Sequence, residues 1–141
     1  MEKSNTIWYS FLMGEGERNE FTEVVADFEI LGEPASKSNQ RRIVLVGSAP
    51  RVIKSKKALD YLKGFSAQCP RLDPLLEDDL ELEVEVWFAS RRPDLDGAVS
   101  LVMDAMQGLL YKNDRQVKVI KAFWNLDRGN PRSRITLRCQ G

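Results

Sequence analysis

Two carboxylates set two residues apart open the stretch of this chain with the most chemical promise, Arg91-Arg92-Pro93-Asp94-Leu95-Asp96-Gly97. In a turn leading into a helix, Asp94 and Asp96 can converge. Carboxylate pairs suit hard, oxygen-seeking cations such as Mg²⁺, which keeps several waters and takes few protein ligands. A third carboxylate, Asp114, lies in the turn Lys112–Arg115. The helix predicted between them, Asp96–Leu110, is about 22 Å long at about 1.5 Å per residue. Asp114 therefore rejoins Asp96 only if the site is built across strand ends or across a subunit interface. Asp104, about 12 Å along that helix from Asp96, is too far to share an ion directly. Its face matches Asp96 and Ser100, so it reads as a supporting or structural carboxylate. Plainer roles are open too: Asp96 suits a helix N-cap and Asp114 an ordinary turn residue.

The rest of the composition narrows the chemistry. The chain has 141 residues and no His. That excludes Ser-His-Asp triads, Cys-His nucleophile pairs and Cys2His2 zinc fingers. Cys69 and Cys139 are the only cysteines; they cannot complete a tetrahedral zinc site and do not resemble a secreted disulfide framework. An EF-hand loop starting at Asp94 would need Glu at position 105, which is Ala. No Gly-rich phosphate loop ending in Gly-Lys-Ser/Thr occurs. The apolar run Ile7–Met13, broken by Ser10, is too short to span a membrane and poor as a signal peptide. The expectation is a cytoplasmic protein with reduced thiols and no membrane partner.

The elements that must position these carboxylates follow from periodicity. Residues 22–31 read as a strand, Ile43–Val46 as a second, and Ser55–Gln68 as a helix capped by Ser55 with Ala58, Tyr61, Leu62 and Phe65 on its apolar face. Leu80–Phe88 alternates strictly, with Leu80, Leu82, Val84, Val86 and Phe88 on one face and Glu81, Glu83, Glu85 and Trp87 on the other. After the helix Asp96–Leu110 come strands over Gln116–Trp124 and Arg134–Arg138. Residues 32–42 read as a polar, basic loop. The order predicts an α+β fold: one domain over residues 21–141, with a mixed sheet and two packed helices. Residues 1–20 read as an irregular arm whose Trp8, Tyr9, Phe11 and Leu12 need cover, on the body of the domain or on a partner chain.

Charge is segregated beneath a net of zero. Residues 31–71 hold nine basic and two acidic side chains, whereas residues 72–89 hold seven acidic and none basic. Basic stretches folded onto one face can bind a polyanion even on a neutral protein. Lys37, Arg41, Arg42, Lys54, Lys56 and Lys57, with Arg91 and Arg92, are the candidate phosphate contacts.

Taken in order, Pro93-Asp94-Leu95-Asp96, Asp104-Ala105-Met106-Gln107-Gly108 and Tyr111-Lys112-Asn113-Asp114-Arg115-Gln116-Val117 resemble the motifs of the RusA family of Holliday-junction resolvases. Gly32-Glu33-Pro34-Ala35-Ser36-Lys37-Ser38-Asn39 is similar to the family's loop after its first strand. The resemblance implies a small homodimeric endonuclease that cuts branched DNA, especially four-way junctions, by paired symmetric nicks in recombination and repair. It implies Mg²⁺, with Mn²⁺ as a substitute, and matches Asp94, Asp96 and Asp114 to the family's catalytic, metal-holding triad and Asp104 to a further acidic position. The family is frequent in bacteriophages, so the expected compartment is a bacterial cytoplasm, or a host's if phage-encoded. Three positions depart from the pattern. Gly97 replaces an Asn, Asn113 replaces the first Asp of an Asp-Asp pair, and Ser100 stands where the family has an essential Lys. Lys112, Lys118 and Lys121 are the candidates to supply that charge. The rival reading is a branched-DNA-binding or phage accessory protein with impaired catalysis.

Overall fold

The computed structural model describes residues 20–36 and 39–141. Lys37 and, apart from Glu20, the arm expected over residues 1–20 lie outside the described residues. The sheet is built on β4 (Leu80–Phe88), whose five alternate apolar residues are fully buried. On one side β4 pairs in parallel with β5 (Val117–Leu126) and on the other antiparallel with β6 (Arg132–Gln140). β1 (Phe21–Leu31) adds antiparallel to β6, giving the order β1-β6-β4-β5. The parallel β4–β5 pair requires a crossover, which α2 (Leu95–Met106) provides. α1 (Lys56–Gln68) packs beside α2 and β1 and buries Ala58, Tyr61 and Phe65, with Phe28 of β1 edge-on to Phe65 at 6.2 Å between ring centres. The expected single-domain α+β architecture, a mixed sheet with two helices, is the one found. No helix among the described residues is long and apolar enough to cross a membrane.

The opposite face of the sheet carries charge. Arg138 of β6 bonds Glu81 at 3.1 Å and Glu83 at 2.9 Å, Lys121 of β5 reaches Glu81 at 3.5 Å, and Arg134 bonds Asp27 at 2.9 Å. Arg132 lies over the Trp87 ring at 4.1 Å. Register puts Glu81 directly opposite Arg138; the other pairs are diagonal, since Lys121 stands opposite Glu83 and Arg134 opposite Glu29.

Two elements differ from expectation. The strand at Ile43 is longer, Arg41–Val46 (β2), and it leaves the main sheet to pair with a strand not anticipated, Ala49–Lys54 (β3). The loop between them is Gly47-Ser48, and Gly47 has φ +66°, the left-handed value that the first central residue of a type II′ hairpin turn requires. Pro50, an edge-strand residue here, hides the second strand from a reading of periodicity. The second difference is the helix bearing the carboxylates. It begins at Leu95, so Asp94 takes the N-cap position and Asp96 lies in the first turn. It stops at Met106 rather than Leu110, because Gly108 turns the chain at φ +85° and the Leu109 and Leu110 amides donate back to the Met106 carbonyl at 3.0 Å. Leu110 still joins the core from within that turn.

Candidate active site

Each carboxylate is placed by local ties that begin in the strands. Beyond β4 the chain is held twice before the helix begins. Glu33 Oε1 accepts the Ala89 amide at 3.0 Å, and the Trp124 indole N–H of β5 donates to the Pro93 carbonyl at 3.1 Å. Trp124 is itself stacked on Phe88, ring centres 5.6 Å apart. These contacts deliver Asp94 and Asp96 to the head of α2. Asp94 sits at the N-cap with extended backbone (φ −90°, ψ 152°) but makes no side-chain capping bond, so its carboxylate is not spent on the helix amides.

Asp114 is fixed from the other end. Its amide donates to Gln107 Oε1 at 3.0 Å. Asn113 Oδ1 accepts the Arg115 amide at 2.9 Å, and Gln116 Oε1 accepts the amides of Lys112 and Asn113 at 3.0 and 2.9 Å. The Gln116 side-chain amide in turn donates to the Leu76 and Asp78 carbonyls. Beneath this turn the buried Tyr111 hydroxyl donates to the Met103 carbonyl at 2.6 Å. Burial raises the Tyr111 phenol well above its ordinary value, and the negative charges of Asp114 and Asp104 push it the same way.

Between α2 and β5 runs an open pocket of about 450 Å³. Leu95, Val99, Met103, Ile120 and Ala122 form its apolar walls, while Asp96, Ser100 and Asp114 supply its polar groups. Thus Asp114 does return to the helix within one chain, by way of the turn that starts β5. It meets α2 near the helix's C-terminal end, whereas Asp96 lies about 15 Å of helical rise from Met106. Among the described residues no three Asp, Glu or Cys side chains gather around a single cation position. The carboxylates instead line a groove.

The cations distribute unevenly around it. Lys54, at the end of β3, bonds Asp104 of α2 at 3.1 Å. The Gln40 side chain, at the base of the β2–β3 hairpin, donates to the Gly97 carbonyl at 2.8 Å and to the Ala35 carbonyl at 2.9 Å. The hairpin is therefore tied to α2 at two points. Arg41, Arg42, Arg51 and Lys57 are exposed on the hairpin and the start of α1, and Lys56 pairs with Asp60 at 2.8 Å. Residues 39–57 contain six cations and no acid. Arg91 and Arg92 are exposed just before Asp94.

Of the lysines expected to take the place of the one missing at Ser100, Lys121 is misplaced. Its neighbours Ile120 and Ala122 face the groove, so alternation turns it to the far side of the sheet, where it meets Glu81. Lys112 is paired with Glu77 at 3.1 Å. Lys118 is exposed where the β4–β5 register shifts between Val117 and Val119. Reading the sequence missed Arg51, hidden with β3, and the tethers Gln40, Glu33 and Trp124. The Gly47-Ser48 turn is the signal that would have recovered the first; nothing local marks the others.

With this geometry in place, similarity to known proteins becomes informative. A protein-family model described as endodeoxyribonuclease RusA matches residues 32–138, which span the hairpin, both helices and strands β4 to β6. No curated protein matches the chain.

Proposed function

The chain belongs to the endodeoxyribonuclease RusA family, and on that premise we propose that it is a Mg²⁺-dependent nuclease that resolves four-way and related DNA junctions by paired nicks, with Asp94, Asp96 and Asp114 as its catalytic carboxylates. The observation that carries the reading is the α2–β5 groove. It places Asp96 and Asp114 along one cleft, with a cationic hairpin fastened to the same helix. The donor set suits Mg²⁺, which is held by one or two carboxylates and leaves its other positions to water and substrate phosphate. Asp94 and Asp96 at the head of α2 supply such a pair, and the uncapped Asp94 carboxylate favours that use. When bound, Mg²⁺ supplies an activated water and neutralises charge on the phosphate; Mn²⁺ has the same ligand preferences.

The chain's own residues do the rest. Trp124 and Glu33 hold the Asp94–Asp96 segment against the sheet, which limits its freedom to drift. Gln107 and Gln116 hold Asp114. Arg41, Arg42, Arg51, Lys54, Lys56, Lys57, Arg91 and Arg92 supply phosphate contacts, whose number sets how steeply binding weakens with salt. A four-way junction presents two equivalent strands, and a two-fold homodimer presents two equivalent grooves to them.

The test is cutting of a labelled four-way junction and a matched linear duplex, with Mg²⁺ or EDTA. Wild type is expected to nick the junction symmetrically and only with Mg²⁺. Asp96→Asn is expected to fold normally by circular dichroism and to cut at least about a thousandfold more slowly, about 4 kcal/mol of barrier. A fully active Asp96→Asn protein refutes the assignment. Tight junction binding without nicks, in Mn²⁺ as in Mg²⁺, transfers the reading to a junction-binding protein.

A further inference from the structure

The groove has acids and a hydroxyl but no cation in its lining: Asp96, Ser100 and Asp114 are its polar groups. A cleft of that sign repels a phosphodiester until positive charge, from a bound cation or from a side chain nearby, offsets it. Lys54 does not line the groove but is fixed to the helix that forms one of its walls. Its ammonium is 3.1 Å from Asp104, and Asp104 lies one helical turn beyond Ser100, about 6 Å along the axis and about 40° around it. The Lys54 ammonium thus stands on the flank of α2 beside the solvent-facing ridge that carries Asp96 and Ser100.

The contact is built into the fold. Lys54 closes the hairpin opposite Arg41. Gln40, adjacent to Arg41, clamps the hairpin base onto Gly97, the residue after Asp96. The pair itself is half-exposed on both sides, 37% and 46%. Such a pair contributes little to folding stability, and Lys54 keeps two further N–H donors for another anion. Of the other lysines near the site, Lys112 is directed to Glu77 and Lys121 to the far face of the sheet, while Lys118 is exposed at the start of β5.

We propose that Lys54, held in place by Asp104, contacts the phosphate at the cleavage position and supplies from the hairpin the positive charge that Ser100 cannot supply from the helix. This rests on the nuclease reading for its activity but not for its binding test. Asp104 is a positioning residue in this scheme. Its carboxylate orients Lys54 and does not touch the substrate.

Two measurements on the full chain test it. The first is junction binding in EDTA, where nothing is cut, with single methylphosphonates placed in turn at each linkage flanking the branch point. One uncharged linkage is expected to weaken wild-type binding about tenfold and Lys54→Ala binding less than twofold. Equal losses in both proteins at every linkage overturn the contact. The second is cutting. Lys54→Ala is expected to lower kcat about a hundredfold with KM within threefold, and Asp104→Asn to lower it about tenfold. Adding Ser100→Lys to Lys54→Ala is expected to restore at least a tenth of the lost rate, and Lys63→Ala, on the exposed face of α1, to change nothing. An unchanged kcat in Lys54→Ala overturns the proposal while the nuclease reading stands. A wild type that cuts no branched DNA refutes the nuclease reading, and the methylphosphonate map still decides whether Lys54 meets a phosphate.

Discussion

Trp124→Phe separates positioning from packing at the head of α2. The indole does two things: it stacks on Phe88 at 5.6 Å between ring centres, and it donates 3.1 Å to the Pro93 carbonyl, one residue before Asp94. Phenylalanine keeps most of the stacking and loses the donor. A neutral hydrogen bond contributes about 1 kcal/mol net, and a half-buried carbonyl left without its partner adds to that, so the expected loss is about 1–1.5 kcal/mol. With an unfolding entropy of about 2.1 cal/mol/K per residue, that is about 3–5 °C in Tm. The effect on catalysis is expected to be larger than the effect on stability. Freeing Pro93 lets Asp94 and Asp96 drift, and a displacement of about 1 Å costs up to about a hundredfold in rate. Junction cutting under saturating and limiting substrate is expected to show kcat down ten- to a hundredfold with KM nearly constant. Ile135→Val, a fully buried change on β6, costs a similar amount of stability, about 1 kcal/mol, and is expected to leave kcat alone. If Trp124→Phe and Ile135→Val lose stability equally and both cut at the wild-type rate, the indole does not position the carboxylates.

The alkaline limb of stability has a defined sign. Burial pushes the Cys69 thiol up to about 11 from 9 and raises the Tyr61 and Tyr111 phenols. Groups raised in the folded state contribute stability in full below their unfolded values and lose it as pH climbs toward the folded ones. The urea midpoint is therefore expected to stay level to about pH 9 and to fall above it; a midpoint that rises there contradicts the burial of these groups. On the sheet, Arg138→Ala leaves the buried Glu81 carboxylate with Lys121 at 3.5 Å as its remaining ion pair. A loss of about 3 kcal/mol in denaturant unfolding is expected, with most of it recovered by Glu81→Leu in the same chain. A loss under 1 kcal/mol for Arg138→Ala shows that water, not Arg138, satisfies Glu81.

How far the sequence discloses the site depends on whether each contact is local. β4 is legible because its alternation is strict and its partners only have to accept it. α1 is legible because Ser55 and a clear apolar face bracket it, and Ser55 does accept the Ala58 amide at 3.1 Å. The start of α2 is less legible: Asp96 reads as the N-cap, but the backbone gives that position to Asp94, whose residue type suits it equally. The return of Asp114 to α2 is invisible in one dimension. It depends on β5 running parallel to β4, which carries the turn before β5 back to the helix's C-terminal end. Lys121 is the reverse case: alternation with Ile120 and Ala122 already turns it away from the helix.

The charge pattern acquires its meaning only in the folded chain. The acidic run over residues 72–89 is partly spent within the fold. Glu77 meets Lys112, Glu81 meets Arg138 and Lys121, and Glu83 meets Arg138, so three of its seven acids neutralise cations contributed by the second half of the chain. The hairpin and the first turn of α1 form a run of cations with no acid in it. Among the described residues, the ion pairs that reach its six cations are Lys54–Asp104 and Lys56–Asp60, both at the surface. A zero net charge is therefore compatible with a strongly positive ridge beside the groove. The Gln40–Gly97 bond and the Lys54–Asp104 pair hold that ridge against the helix bearing Asp96, so under the proposed function a phosphate backbone drawn to the hairpin would be delivered to that helix.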